Sequence, residues 1–443
     1  MQLLWRHGRA GTAFQVLAPG LFHWFDDDRG LVAYADTGGA WVAAGQPVAA
    51  PDDAIAVAAC FVAAANAAGR RACFFATEGI LAAAPAMHRL SLGEQPVWDP
   101  QLWDAHVSTH RSLREQLRRA RAKGVVVREV TTQSLVSEPE LHRQILAVVR
   151  RWLASRTMPQ MHFMVEVAPL GFLEHRRLFV AERAGKVVGV LSLAPVPARK
   201  GWLFENLLRS PRAPNGTSES LVDAVMRVLA SEHVTWATLG LAPLAGNVGP
   251  WLRAIRRLSR PLFNFDGLAS FKRKLRPQHW ERIYLAFPSN NSAFVATMDA
   301  LRAFAGGALW RFALRTILRG PRPLLIVLEA LLIPWTVLLA LAPTTPWFPS
   351  RLVHGSWVLF DVALYILLRT VRGRDWLTGA RVAAAAVTLD AILTVWQAIE
   401  WNAPRVSSWH EVVMVVIACA GPALTAPILW GAARRIRMLR DER

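Results

Sequence analysis

The sequence predicts a mixed α/β (α+β) unit followed by a helical membrane domain. Over residues 1–290, short β-rich runs alternate with Ala-, Leu- and Arg-rich stretches of helical periodicity, which is typical of a sheet covered by helices. After residue 320 come four apolar windows, each close to the roughly 20 residues that cross a bilayer. The windows are 324–342, 352–368, 382–399 and 412–430. We therefore expect a four-helix transmembrane domain at residues 321–443.

The arginines around these windows predict the orientation of the helices. They cluster before the first window, between the second and third, and after the fourth, whereas the opposite loops hold only Arg351 and Arg405. Since cytoplasmic loops carry the excess of Lys and Arg, we expect a multi-pass protein of the cytoplasmic membrane with the α/β unit and both termini in the cytoplasm. Charges interrupt the apolar residues at the N-terminus, so no signal peptide is predicted.

Three acidic residues, Glu329, Asp361 and Asp390, interrupt the apolar windows. An ionisable group at membrane depth usually faces the bundle interior or a wet cavity, which would suit a path for lipid or protons. The three acids would also suit positions nearer an interface, or contacts with one another across helices. Both interpretations stay open.

Composition limits the partners and the chemistry. The formal net charge of +19 comes largely from arginine, whose planar guanidinium suits phosphate, so we expect nucleic acid, anionic lipid headgroups or both as partners. Only three cysteines occur, without paired spacing, and neither a disulfide framework nor a zinc site is predicted. The sequence contains no G-x-x-x-x-G-K-[ST] phosphate loop. We therefore expect no cofactor.

Two sets of strands and helices follow one another in the α/β unit. The first has candidate strands at 30–35, 41–43 and 71–76, with a helix near 53–68. After a basic helix at 111–123, the second has strands at 178–183, 187–194, 202–208 and 234–239, with a helix near 218–232 before the last strand. Hairpin, third strand, helix and strand is also the order of an acetyltransferase-type (GNAT) core.

A connector is predicted at residues 291–320, between the two parts of the chain. Phe294, Met298, Leu301 and Phe312 fall on one helical face, with arginines elsewhere and a Gly-Gly break. An amphipathic segment of this kind is expected to lie at a membrane interface.

Residues 264–284 carry a dense group of cations. Lys272, Lys274 and two arginines lie between aromatic residues and are followed by Glu281. Cations held by aromatic neighbours suit a fixed anionic substrate, and Lys272 is poorly placed as a free surface charge. Lys274 could bind phosphate or be simply solvated.

An anion site is predicted at the start of the helix near residue 218. Arg209 and Arg212 precede Asn215, Gly216 and Thr217 there, where free backbone N–H groups and the helix dipole favour negative charge. This site would bind a phosphate or another anionic group of a substrate.

The basic helix at 111–123 is a further candidate surface. Arg111, Arg114, Arg118 and Arg121 fall on one face, which could follow nucleic-acid phosphates or lie on anionic lipid. A solvated arginine face fits the same pattern equally well. Two histidines just upstream have metal-ligand spacing but no further ligands in sequence, so a metal site is the weaker interpretation.

Several ordered segments resemble one protein family. They are GQPV at 45–48, LGE at 92–94, LLR-x-P at 207–211, P-x-G at 214–216, LG-x-APL at 239–244 and NFDGLASFKRKLRPQHWERIY at 264–284. Over residues 12–288 the chain resembles the catalytic domain of the aminoacyl-phosphatidylglycerol synthases, the multiple peptide resistance factor family. The resemblance implies tandem GNAT-like cores, a degenerate one at 1–130 and a catalytic one at 131–290.

The resemblance also implies an activity and its residues. Such an enzyme moves an amino acid from aminoacyl-tRNA, its co-substrate, to an anionic membrane lipid, with phosphatidylglycerol as the expected acceptor. The catalytic candidates are Lys272, Arg209, Glu281, Asn206 and Glu219. The substrate-binding candidates are Arg212, Asn215, Gly216, Thr217, Lys274, Arg114 and Arg118.

The chain departs from the family pattern in three ways. Asn206 stands where the family has an acid, which makes Glu219 a candidate replacement. The spacing from Lys272 to Glu281 is one residue longer than in the family. The membrane domain follows the catalytic domain instead of preceding it, so lipid flipping is not implied.

Two other functions remain open at this stage. An acyl-CoA-dependent N-acyltransferase could use the same GNAT core, although the segment from Arg212 to Thr217 is one residue longer than the usual pyrophosphate loop. A non-catalytic membrane protein could use the same basic surface to bind RNA or anionic lipid.

Overall fold

The computed structural model describes residues 1–82, 84–156, 158–258, 263–319, 321–371 and 376–441. It contains two compact units, one of residues 1–156 with 160–309 and one of the remaining residues. The first unit is a mixed sheet with helices, and the second is helical. The predicted order, an α/β unit followed by long apolar helices, is confirmed.

The first half of the α/β unit builds a small sheet before the long strand β6. Its elements are α1 (Gln2–His7), β1 (Phe22–Asp26), β2 (Gly30–Asp36), β3 (Ala40–Ala44), β4 (Val48–Ala49), α2 (Ala54–Ala67), β5 (Arg71–Thr77), α3 (Gly79–Ala82), β6 (Met87–Trp98), α4 (Trp103–Thr109) and α5 (Arg111–Ala122). Strands β1, β2 and β3 are antiparallel, and β5 returns parallel to β3 after α2.

The second half repeats this order. Its elements are β7 (Val126–Val130), α6 (Thr132–Ser137), α7 (Pro139–Ala154), β8 (Arg177–Arg183), β9 (Lys186–Val196), β10 (Gly201–Arg209), α8 (Thr217–Ser231), β11 (Ala237–Thr238), β12 (Ala242–Pro243), α9 (Pro250–Leu258), α10 (Phe265–Lys274), β13 (His279–Pro288) and α11 (Ala293–Phe304). Strands β8, β9 and β10 are antiparallel, and β11 returns parallel to β10 after α8.

The strands of the described residues join in one sheet, in the order β1-β2-β3-β5-β13-β6-β11-β10-β9-β8-β7, with β4 and β12 off this path. The two antiparallel triplets stand towards opposite ends of the sheet, as expected for two GNAT-like cores in tandem. Strand β13 comes from the C-terminal end of the unit but pairs with β5 and β6 of the first half. The boundary between the two cores that was predicted near residue 130 stays a prediction. Strand β13 lies after this boundary in the chain but pairs with strands before it.

In each half of the unit, a helix packs its apolar face on the sheet. Helix α2 buries Val57 and Phe61 against the first strands, and α8 buries Leu221, Val225 and Leu229 against the second set. The period of these apolar residues is that of a helix with one face on a core. Removal of this apolar surface from water is the main force that holds helix and sheet together.

Helix α11, the first part of the predicted connector, packs on the sheet of the α/β unit. Asp299 is 1% exposed, and its carboxylate accepts hydrogen bonds from Nε and an Nη of Arg71 on β5 at 2.8 and 2.7 Å. The opposite face carries Phe294 and Leu301, which are 64% and 42% exposed. An interfacial role for this face stays a prediction.

The second unit consists of α12 (Leu309–Arg319), α13 (Pro321–Leu341), α14 (Thr344–Trp347), α15 (Arg351–Val371), α16 (Trp376–Gln397) and α17 (Trp409–Asp441). Each of the four apolar windows predicted from sequence lies in a helix. Among the described residues, three spans are long and apolar enough to cross a membrane: Arg351–Thr370, Leu377–Asn402 and Trp409–Gly431. The remaining apolar helix, Leu325–Leu341, is shorter.

We predict that Asp299→Asn loosens α11. The substitution leaves Arg71 without its charged partner, and a hydrogen bond to a charged group contributes about 1.5–3 kcal/mol. Hydrogen exchange of the α11 backbone amides in the full-length protein should rise by about one order of magnitude or more. Glu140→Gln, at an exposed ion pair with Arg143, is the matched control and should leave exchange unchanged. Equal exchange in wild type and Asp299→Asn would contradict this role.

Candidate active site

The centre of the sheet brings four polar side chains together. Gln95 on β6 and Glu281 on β13 are register partners, Glu78 follows the end of β5, and Arg199 lies in the turn between β9 and β10. We call these four residues the central polar cluster. The cluster therefore combines side chains from both halves of the unit.

Hydrogen bonds link every member of the cluster. Gln95 Nε2 donates to Glu281 Oε2 at 2.8 Å and to Glu78 Oε1 at 3.3 Å. The Arg199 guanidinium bridges the two acids, with one Nη 2.6 Å from Glu78 Oε2 and the other 3.3 Å from Glu281 Oε1. Charge-assisted contacts of this kind fix side-chain geometry more firmly than neutral ones.

The backbone around the cluster is shaped to hold it. The Gly11 N–H donates to Glu78 Oε1 at 3.0 Å, and a Cβ at Gly11 would lie 3.1 Å from the Gln95 amide oxygen. The Glu78 N–H donates to Gln46 Oε1 at 3.1 Å. Arg199 also donates from Nε to the Arg9 carbonyl. The N-terminal segment thus closes one side of the cluster.

The cluster has one more carboxylate than cation, counting two glutamates and one arginine. Burial opposes ionisation of Glu281, but hydrogen bonds from Gln95 and Arg199 outweigh it and lower the pKa of that carboxyl below its usual value. Arg199 stacks over Trp236, with its Cζ 4.6 Å from the ring centroid. The four-residue cluster is therefore preorganised, and its excess carboxylate suits a small cationic group. Two basic side chains border it, since Arg9 lines the adjoining cavity and His279 Nε2 lies 3.6 Å from Glu281 Oε1.

An open cavity of about 430 Å³ borders the cluster at Glu78. Its lining residues are Arg9, Gln46, Pro51, Glu78, Gly79 and Ile80. The wall therefore combines a carboxylate, an amide and a guanidinium with apolar surface. Such a mixture suits an amino-acid side chain next to its amino group.

Lys272 lies on α10, where it is 4% exposed. Its Nζ donates to the carbonyls of Leu239, Gly240 and Leu241, each at 2.8 Å. Burial lowers the pKa of the Lys272 amine to about 7, but only the ammonium form has a proton for each of the three carbonyls. Its contacts fix the turn after β11, and its catalytic role stays a prediction.

The structure places Arg209 and Asn206 on β10, in different surroundings. Arg209 is exposed at the end of the strand, whereas Asn206 is buried and donates to Ser192 Oγ at 3.0 Å. The strand bulges at Glu205, whose carboxylate binds the guanidinium of Arg176. Among the described residues, no hydrogen bond or ion pair joins these groups to the central polar cluster, so the roles predicted for them from sequence stay predictions.

The start of α8 is packed more tightly than an open anion site. Thr217 is fully buried and donates its hydroxyl to the Pro214 carbonyl at 2.7 Å. A Cβ at Gly216 would lie 2.7 Å from the Gln116 carbonyl of α5, so only glycine allows the two helices to approach. Asn215 is exposed on this turn.

The remaining candidates, on or near α8, α5 and α10, differ in exposure and in contacts. Arg212 is exposed and Glu219 is half-buried in the first helical turn. On α5, Arg118 pairs with Glu115, whereas Arg114 is exposed. Lys274 is exposed on α10. None of these positions tests the binding role predicted for it.

The basic face of α5 is partly neutralised. Arg118 and Arg119 share Glu115, and Arg121 reaches Asp223 of α8 at 3.1 Å. The nearby His106 bonds the Leu275 carbonyl. Within the described residues, no group of three or more His, Cys, Asp or Glu is arranged to hold a metal ion.

Sequence reasoning identified only one member of the central polar cluster, Glu281. Glu78, Gln95 and Arg199 lie in segments of ordinary composition, and their proximity depends on how β5, β6 and the β9–β10 turn meet. One signal was available, because the GQPV segment places Gln46 against Glu78 and the LGE segment immediately precedes Gln95.

Comparison with known proteins gives a family match over most of the α/β unit. The family described as "Phosphatidylglycerol lysyltransferase, C-terminal" matches residues 2–287. An uncharacterised protein of Corynebacterium glutamicum is 24% identical over 301 residues, 62% of this chain and 37% of that protein. A phosphatidylglycerol lysyltransferase of Bacillus subtilis is 28% identical over 141 residues, 30% of this chain and 15% of that protein. The chain thus spans well under half the length of these curated relatives.

Solved structures share the fold of the α/β unit. A DUF2156 domain from Agrobacterium fabrum, described as the C-terminal part of a lysylphosphatidylglycerol synthetase, is 25% identical with a TM-score of 0.57, covering 68% of this chain and 94% of that one. The L-PGS of Bacillus licheniformis is 21% identical with a TM-score of 0.59, covering 68% and 95%. With the family match over residues 2–287, the resemblance drawn from sequence is confirmed: the chain belongs to the family of phosphatidylglycerol lysyltransferase C-terminal domains.

Proposed function

We propose that this protein transfers an amino acid from aminoacyl-tRNA to an anionic membrane lipid, with phosphatidylglycerol as the first candidate acceptor. The observation that carries the proposal is the central polar cluster, in which one arginine holds two carboxylates beside a cavity of about 430 Å³ in the α/β unit. The family match and the name of the Bacillus subtilis relative support a lipid acceptor. The long apolar helices support a place at the membrane.

The reaction exchanges one ester for another. A lipid hydroxyl oxygen bonds to the ester carbonyl carbon of the aminoacyl-tRNA, the bond from that carbon to the ribose oxygen breaks, and the hydroxyl proton ends on the ribose oxygen. The step requires no oxidant and no nucleotide hydrolysis. It depends on orientation of the two substrates and on stabilisation of the oxyanion formed at the carbonyl.

In this proposal, the central polar cluster binds the α-amino group of the aminoacyl-tRNA. An α-ammonium has three protons to donate, and Glu78 and Glu281 together supply the excess negative charge that complements it. Arg199 and Gln95 act as positioning residues that keep the two carboxylates apart and oriented. The adjoining cavity takes the side chain of the amino acid.

In this proposal, the exposed arginines predicted from sequence bind the phosphate groups of the substrates. Arg209 and Arg212 suit phosphate at one edge of the unit, and Arg111 and Arg114 on α5 suit the tRNA backbone. Lys272 is a positioning residue that fixes the turn at residues 239–241. The α/β unit and both termini are placed on the cytoplasmic side, from the arginine distribution around the apolar helices.

The first prediction tests the activity itself. Membranes that contain the protein, incubated with tRNAs charged with labelled amino acids, should yield label in the lipid extract. The label should disappear after RNase treatment of the charged tRNA and should depend on phosphatidylglycerol. Absence of RNase-sensitive product with every amino acid and with several anionic and neutral lipids would contradict the proposed function.

A second prediction concerns the paired carboxylates. Glu78→Gln and Glu281→Gln should each lower kcat/KM for the charged tRNA by about 10²-fold, because each removes a charge that orients the amino group. Glu182→Gln is the control, because it makes the same substitution at a glutamate of the same unit that pairs with Arg128 on β7. Initial rates at subsaturating charged tRNA measure the effect. Wild-type rates for both cluster variants would remove the cluster from the mechanism.

A third prediction separates positioning from catalysis at Lys272. Lys272→Met leaves three carbonyls without their donor, which should destabilise the unit by about 1–3 kcal/mol and lower transfer in parallel. The exposed Lys274→Met is the control for stability. Thermal unfolding and transfer rates are measured on the same preparations. A Lys272→Met protein with wild-type stability and no transfer would instead indicate a direct catalytic role.

A further inference from the structure

The cavity beside the central polar cluster has charged groups of both signs in its wall. Its volume of about 430 Å³ lies in the range of pockets that hold small ligands. The wall carries one carboxylate, from Glu78, and one guanidinium, from Arg9. The other lining residues are uncharged, namely Gln46, Pro51, Gly79 and Ile80. The ligand that the cavity accepts therefore depends on how far these two charges are already neutralised.

The charge of Glu78 is engaged within the central polar cluster. Its Oε2 lies 2.6 Å from an Nη of Arg199, and its Oε1 accepts hydrogen bonds from the Gly11 N–H at 3.0 Å and from Gln95 Nε2 at 3.3 Å. The two glutamates and one arginine of the cluster leave one unit of negative charge. In the proposed function, the α-ammonium of the donor neutralises that unit. The lining residues then offer no negative charge to a second ammonium on the side chain.

The charge of Arg9 is not neutralised in this way. Its side chain is exposed, and within the residues that the structure describes no ion pair engages its guanidinium. The bond that holds residue 9 against the cluster uses the backbone, because the Arg9 carbonyl accepts from Arg199 Nε at 2.8 Å. A guanidinium stays protonated in proteins. With the α-ammonium bound, the lining of the cavity therefore carries the positive charge of Arg9.

We propose that Arg9 is a specificity-determining residue, which makes the cavity select amino acids without a cationic side chain. A lysine or arginine side chain would bring a second positive charge towards the Arg9 guanidinium, and like charges this close repel each other. An uncharged side chain avoids this repulsion and contacts the apolar surface of Pro51 and Ile80. The inference rests on the proposed function for the orientation of the donor, and it adds the class of amino acid.

Transfer from one tRNA body, charged in turn with norleucine and with lysine, tests the selection. Norleucine is lysine without its ammonium group, so the two donors differ in the charge at the end of the side chain. The full-length protein in nanodiscs that contain phosphatidylglycerol should show a kcat/KM at least about tenfold higher for norleucine than for lysine. Both rates are measured on one preparation, so their ratio does not depend on the amount of folded protein.

Substitutions of Arg9 should change this ratio. Arg9→Gln should lower it by at least about fivefold, and Arg9→Glu should lower it further, because the repulsive charge is first removed and then reversed. Both variants keep the carbonyl that binds Arg199. Arg6→Gln, the same substitution at an exposed arginine of α1, is the matched control and should keep the wild-type ratio. The wild-type ratio should also fall as salt is added, which a purely structural role of Arg9 would not produce.

A binding measurement separates this inference from the proposed function. The probes are the stable amides of norleucine and of lysine with 3′-amino-3′-deoxyadenosine, which resemble the charged end of tRNA and are titrated by calorimetry. Tighter binding of the norleucine amide without lipid product from any donor would contradict the proposed function alone. Efficient transfer with a ratio near one in wild type, or an unchanged ratio in both Arg9 variants, would overturn the role of Arg9 alone. Absence of both binding and transfer would contradict both.

Discussion

The bridge from Arg199 to Glu78 and Glu281 is the interaction on which the candidate site depends. It joins a turn of the second half of the sheet to the end of β5 and to β13, with Nη–Oε distances of 2.6 and 3.3 Å. A guanidinium has fixed donor directions, so it can satisfy two carboxylates only when both strands hold their register. The position of β13 between β5 and β6 supplies that register. The strand register that defines the fold therefore also defines the geometry of the candidate site.

The repeated order of elements was readable from sequence because it follows from local patterns. The β-rich runs at 178–183 and 187–194 predicted the β8–β9 hairpin, and the stretch near 218–232 predicted α8. The place of β13 was not readable, since its partners β5 and β6 are remote in the chain and no local pattern encodes that pairing. Non-local pairing decides which polar residues meet, so Glu78 and Arg199 were missed while Glu281 was found.

Lys272 shows that residue type alone does not define a role. A lysine among aromatic residues predicted contact with an anionic substrate, and that role stays a prediction. In the structure, where an unsatisfied buried ammonium would be costly, backbone carbonyls surround the Lys272 amine. The same reasoning applies to Thr217, whose hydroxyl is used within its own turn. Sequence identifies which groups must find partners. Only the three-dimensional arrangement shows whether those partners are substrate or backbone.

The acids of the apolar helices also need partners when they are buried, but the structure shows fewer partners for them. An aspartate at the centre of a membrane helix costs about 2.5–3.5 kcal/mol on insertion scales, more than a surface salt bridge returns. In the α/β unit, the buried Asp299 offsets its cost with two hydrogen bonds from Arg71. Asp361 has no such partner among the described residues, although it is equally buried. A carboxyl that internal contacts do not offset avoids this cost by protonation or by a partner from outside the unit, so the burial of an acid does not by itself define its role.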